Sequence, residues 1–273
     1  MPTSAHQQPS LLRRWLPRRS RWLDLALLLL LLAAAAAGWF GPELLYKQQL
    51  NQASILLRKL QFNEAAKTIS SLHAHRPDEP EPLLLLLSLQ RQIDDLTGAR
   101  DTLQKLRSFP VPAQRLYDEE NLILAKTADP NTSEARLSPL LTSDEFLPGD
   151  VCDAFVTWLR GFSRLEAAEI LIRTWKSDLP DDYRAWAQQG IVHAMQIRPA
   201  DAVTEFHRAV ELGDQRASTQ AHLGRSLLDL DRLDEALSAF SLACQRDPLS
   251  AEHWMWKAKT HRLSGNTEDS IKA

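Results

Sequence analysis

Hydrophobic and polar positions along the chain fall into two regimes. From Trp22 to Phe40 the sequence is almost unbroken Leu and Ala, with no polar face. At ~1.5 Å per helical residue that run matches ~30 Å of hydrocarbon. Trp22 and Trp39 bracket it as interfacial aromatics, and its one acid, Asp24, lies in the first turn. Arg13, Arg14, Arg18, Arg19 and Arg21 precede it without any acid. The pattern predicts a basic cytoplasmic tail over 1–21, a transmembrane helix over 22–40 and the rest of the chain on the outer side. An uncleaved signal anchor is the favoured reading. A cleaved signal peptide ending in the small residues Ala33 to Ala37 is the alternative.

Beyond residue 46 the pattern changes to amphipathic segments that repeat every 34 residues. Trp186, Gln220 and Trp254 share one column, and Gly190, Gly224 and Ala258 another. Ala202 falls on Ala236, Phe206 on Phe240 and Ala209 on Ala243. In the N-terminal half the same offset pairs Ala65 with Ala99, Ile69 with Leu103 and Leu72 with Leu106. Each unit reads as two helices joined by a short polar break such as Asp231-Arg232. Small residues on the first helix let the second approach, and an aromatic from the second fills the space beside them. Pro77 and Pro248 close their units, because proline cannot continue a helix interior.

This pattern resembles the tetratricopeptide repeat, whose period is 34 residues. Leu223-Gly224, Leu227, Ala236, Phe240, Ala243 and Pro248 carry the fullest match. Two units are expected over 46–113, a degenerate unit interrupted by Asp129-Pro130 and Pro139 over 114–148, and three units plus an incomplete terminal unit over 149–273. Leu87 and Val156 occupy the small column in the weaker units. The resemblance implies an all-α, right-handed superhelical solenoid of antiparallel helix pairs whose first helices line a concave groove. Such arrays bind peptides or helices of other proteins, because no unit buries its own apolar face and stacking produces a long curved surface. A scaffold or adaptor without catalysis of its own is the expected function. An accessory segment of an enzyme or envelope export machine is the alternative.

Composition narrows the function further. A formal net charge of -3 argues against a nucleic-acid binder. Nine Gly in 273 residues disfavour glycine-rich phosphate loops. The two Cys, Cys152 and Cys244, exclude a disulfide framework and read as buried helical residues. No nucleophile elbow, phosphate loop or zinc signature appears, so no catalytic residue, cofactor or metal is expected. His73 and His75 precede Arg76-Pro77 in a break and read as a solvated helix end. Asp181-Asp182 follows Pro180, where carboxylates cap a helix start.

In the best units the residues expected to face the groove are Arg184, Gln188, Ile191, Met195, His222, Arg225, Leu228, Met255, Trp256 and Lys259. They mix cations with soft apolar groups, which suit adaptable contacts with a protein partner. The Lys and Asn residues with which some repeats of this type clamp a C-terminal carboxylate are absent: Ala187, Ile191, His222, Glu252 and Trp256 stand at those places. The chain stops at Ala273, where a second helix of the last unit has begun. An array needs a polar terminal cap, so a truncated form of a longer protein is expected, with self-association through that end as the alternative.

Overall fold

The computed structural model describes residues 41–265. The expected basic tail and transmembrane helix, and the expected start of a further helix after residue 266, lie outside the described residues. The chain divides into two compact units, Met1–Gln52 and Ala53–Ala273. Of the first, residues 41–52 are described and are helical.

Among the described residues the architecture is all-helical. Helix α1 covers residues 41–58. It is followed by α2 (Phe62–His75), α3 (Glu81–Gln92), α4 (Leu96–Leu106), α5 (Ala113–Lys126) and α6 (Glu134–Leu137). A 3-10 turn over Ser138–Thr142 extends α6. Then come α7 (Pro148–Gly161), α8 (Leu165–Asp178), α9 (Tyr183–Met195), α10 (Pro199–Glu211), α11 (Ala217–Asp229), α12 (Leu233–Arg246) and α13 (Ala251–Leu263). From α2 to α13, helices consecutive in the chain pack on one another, and α7 also meets α9 while α9 meets α11. That is the contact pattern of stacked hairpins, in which first helices form one layer and second helices another. Among the described residues no helix is long and apolar enough to cross a membrane.

The period is visible in the backbone itself. Non-glycine residues with positive φ occur at Leu60, Asp94 and Ala128, and again at Ser163, Ile197 and Asp231. Each step is 34 residues except Ala128 to Ser163, which is 35. Gly265, with φ +83°, lies 34 residues after Asp231. Every one follows a first helix, where a single left-handed residue turns the chain back. The second helix of the 114–148 unit is the short α6 with its 3-10 extension, which contains Pro139.

Packing explains the small columns. Ala202, Phe206, Ala209, Ala236, Phe240 and Ala243 are all fully buried. A Cβ placed on Gly190 would lie 2.7 Å from the Phe206 ring, and one on Gly224 would lie 2.8 Å from the Phe240 ring. Glycine is therefore required there by close approach. Leu87 and Val156 are buried in the weaker units. Pro248 lies in the exposed turn after α12, and the Trp254 indole donates to its carbonyl at 2.9 Å. Trp186 repeats this contact on the carbonyl of Pro180. The Asp182 carboxylate caps α9 by accepting from the Arg184 N–H at 3.1 Å. His73 and His75 belong to the last turn of α2 rather than to a break after it, and the His75 ring bonds the Ser71 carbonyl. Both cysteines are free thiols and buried.

Candidate functional site

The layer of first helices carries an unusual density of buried charge. Arg91 on α3 is 1% exposed. It pairs with Glu119 on α5 and, at 2.6 Å, with Asp150 on α7. Ser88 donates to Asp150 and Arg115 to Glu119. Burial works against the charge on Arg91, yet the two carboxylates outweigh it and raise its pKa. A buried charge survives only with such partners. This cluster ties three successive first helices together.

The first helices also line a cavity of about 150 Å³. Its walls come from five places in the chain. Asp94 enters from the turn after α3 and Lys126 from the end of α5. Thr157 and Arg160 come from α7, Gln188 and Ile191 from α9, and Arg216, Ser218, Thr219 and His222 from the start of α11. Lys126 binds Asp94 and Asp153, each at 2.5 Å. Burial disfavours its charge, but these two carboxylates raise its pKa. Burial likewise disfavours the Asp153 charge, while Lys126, Arg184 and Arg216 hold its carboxyl well below the usual range. Arg216 is bound by Asp214 at 2.8 Å.

Two groups in the cavity are left over. Arg160 makes no ion pair among the described residues, and its Nε is buried without a hydrogen-bond partner. Burial, only partly offset by Asp153 and Asp94 and reinforced by Arg216, holds its guanidinium pKa below the ordinary value. Gln188 is 5% exposed, and its Nε2 donates to Asp153 at 2.6 Å and to Thr157 at 3.1 Å. Because Asp153 is ionised and can only accept, the amide orientation is fixed. Gln188 Oε1 is then a buried acceptor without a donor. His222 stacks on Phe206 with ring centroids 6.1 Å apart. Burial, then the cations Arg160, Arg225 and Arg216, then His253, lower its pKa to about 4.

The expected groove residues divide into groups. Gln188, Ile191 and His222 share the cavity. Arg225, Trp256 and Lys259 form a second cluster, with the Arg225 guanidinium 5.0 Å and the Lys259 ammonium 4.5 Å from the Trp256 ring centre. Trp256 itself stacks on Phe240 at 6.2 Å. Met195 and Met255 are exposed, and Leu228 packs against the core of α10 to α12. Arg184 does not face an open groove: it is 3% exposed, bidentate on Asp182 at 2.7 and 2.9 Å, and lies 5.8 Å from the Trp175 ring centre. A guanidinium two residues past its own cap carboxylate folds back onto it, which removes it from the surface. Asp94, Lys126, Thr157, Arg160 and Arg216 were missed by sequence reasoning. Stepping the Ile191 column back by 34 residues reaches Thr157, and stepping Arg160 back reaches Lys126. Among the described residues no group of three or more His, Cys, Asp or Glu could hold a metal ion.

Comparison with known proteins agrees at the level of fold. Residues 222–273 match the family model described as Tetratricopeptide repeat. No curated protein matches the chain. A tetratricopeptide repeat protein from Parabacteroides merdae is similar in structure, with TM-score 0.52 and 16% identity over 84% of this chain and 89% of that one. Pseudomonas aeruginosa pilF gives TM-score 0.48 and 12% identity over 85% and 90% of the two chains. MamA gives 0.45 and 19% over 58% and 91%. Residues 53–265 are thus a solenoid of helix pairs with the tetratricopeptide fold, and the family match itself covers residues 222–273.

Proposed function

We propose that the chain is a membrane-anchored scaffold that holds protein partners at the outer face of the cytoplasmic membrane and has no catalysis of its own. One observation carries the scaffold reading: α5, α7, α9 and α11 turn side chains from four successive units into one open cavity. A surface built by the array rather than by any one unit is what a repeat protein offers a partner. The anchor rests on the apolar run 22–40 behind five arginines.

Topology is tested with single cysteines at Ser4→Cys and Gln245→Cys in a chain lacking Cys152 and Cys244. Gln245 is exposed on α12. An impermeant thiol reagent on intact cells should label position 245 and spare position 4, on a chain of unprocessed size. Label at position 4 alone reverses the orientation, and label at 245 on a shortened chain means a secreted repeat protein. Partner binding is tested by crosslinking in the membrane. A chain that crosslinks to no other protein across growth conditions contradicts the scaffold reading.

A further inference from the structure

The groove cavity leaves one cation without an ion pair and one buried acceptor without a donor. Lys126 is satisfied by Asp94 and Asp153, and Arg216 by Asp214. Arg160 alone among the cavity's arginine and lysine cations makes no ion pair among the described residues, Asp153 and Asp94 acting on it only at longer range, and Gln188 Oε1 has no donor. The opening turn of α11 borders the same space through Ser218 and Thr219, and the buried Asp214 carboxylate accepts there from the Arg216 N–H and the Thr219 hydroxyl. His222 lies in the same cavity, where burial and then the Arg160 charge disfavour its protonation.

These observations define a complementary occupant. It brings an anionic acceptor for the Arg160 guanidinium, which makes no ion pair of its own among the described residues. It needs an N–H donor close by for Gln188 Oε1, because a buried acceptor left alone costs free energy. It must also fit about 150 Å³, less than the roughly 300–1,000 Å³ of a small-molecule or cofactor pocket. A chain-terminal carboxylate sits directly on the backbone and would crowd its own side chain into the same space. An Asp or Glu side chain carries its charge on a short stem and keeps main-chain N–H groups beside it. We infer that the cavity receives the carboxylate of an acidic side chain from an extended segment of a partner protein, with Arg160 as its anchor and Gln188 Oε1 accepting from that segment's backbone. This inference rests on the scaffold reading above and names the chemistry of the partner.

The test selects short random peptides against the full chain in detergent micelles. One library displays each peptide between two flanking domains, so that no terminus is free. A second displays peptides with free C-termini. The expected result is enrichment from the flanked library of sequences sharing one Asp or Glu. Changing that residue to Asn or Gln should weaken binding about tenfold or more, the worth of a charge-assisted pair. Arg160→Met should weaken it equally while leaving the thermal melt cooperative, and Arg160→Lys should retain part of it. Arg100→Met together with Arg107→Met, on α4 and just beyond it, should change nothing. Enriched peptides without an acid, or peptides indifferent to both their own acid and Arg160→Met, overturn the inference and leave the scaffold reading standing. Enrichment from the free-terminus library alone also overturns it, by assigning the carboxylate to a chain end. Enrichment from neither library counts against both readings.

Discussion

Gly224 and Phe240 are pressed together, with space for no more than a hydrogen between α11 and the Phe240 ring: a Cβ on Gly224 would sit 2.8 Å away. Phe240 is fully buried and stacks in turn on Trp256 of the next unit. The pair therefore sets both the helix spacing within one unit and the seat of its neighbour.

Gly224→Ala should destabilise the array by about 1–3 kcal/mol, because the ring can move only by disturbing Trp256. Calorimetry should show Tm lowered by roughly 2–4 °C per kcal/mol. Phe240→Leu introduced into the Gly224→Ala chain should cost less than the two single changes added together, since it vacates the contested space. Strict additivity would mean the contact is not the source of the effect.

Arg91 holds two buried carboxylates. Arg91→Met leaves Glu119 and Asp150 without their common cation and should cost about 3–5 kcal/mol in urea unfolding. Glu119→Gln and Asp150→Asn in the same chain should recover much of that loss, by removing the charges rather than restoring the pair.

Ile197 is a β-branched residue at φ 60° and is 88% exposed. It pays the left-handed penalty without compensating burial. Ile197→Asn should stabilise the protein by about 1 kcal/mol, raising Tm by ~2–4 °C. An unchanged or lower Tm would show that the turn before α10 carries no such strain.

His222 gives the stability a pH dependence. Its ordinary pKa of 6.5 falls to about 4 in the fold. Below pH 6.5 the unfolded chain binds a proton that the folded chain refuses, so stability declines as pH falls from 6.5 towards 4 and this contribution then levels off. Above 6.5 it contributes no slope. Denaturant titrations across the window should show the decline, and His222→Gln should remove that component of it.

Sequence alone specified the helix pairs and their internal contacts. Gly190 meets Phe206, and Gly224 meets Phe240, sixteen residues apart in both cases. Such partners lie within one unit, where helical period and a short turn leave no freedom about which faces meet. The columns of small and aromatic residues were therefore sufficient to place them. The polar break was legible at Asp231 too, although its left-handed backbone, repeated back to Leu60, was not.

The site was legible only in part. Gln188, Ile191 and His222 come from units whose columns are clear, and they meet in the cavity. Arg184 stands beside them in sequence yet is withdrawn by Asp182, because a local ion pair outcompetes the groove. Asp94, Lys126 and Arg160 come from units whose columns are weak, and their relation depends on how each hairpin is rotated on the last. That curl also brings Leu60 and Phe62 against the cluster of Tyr183, Ala187 and Ala209, more than a hundred residues away in the chain. Period and patterning determined what each unit is. Only the tertiary structure decided which charges are paired, which one is left over and where the groove closes, because small rotations between units accumulate along the array and no local pattern records their sum.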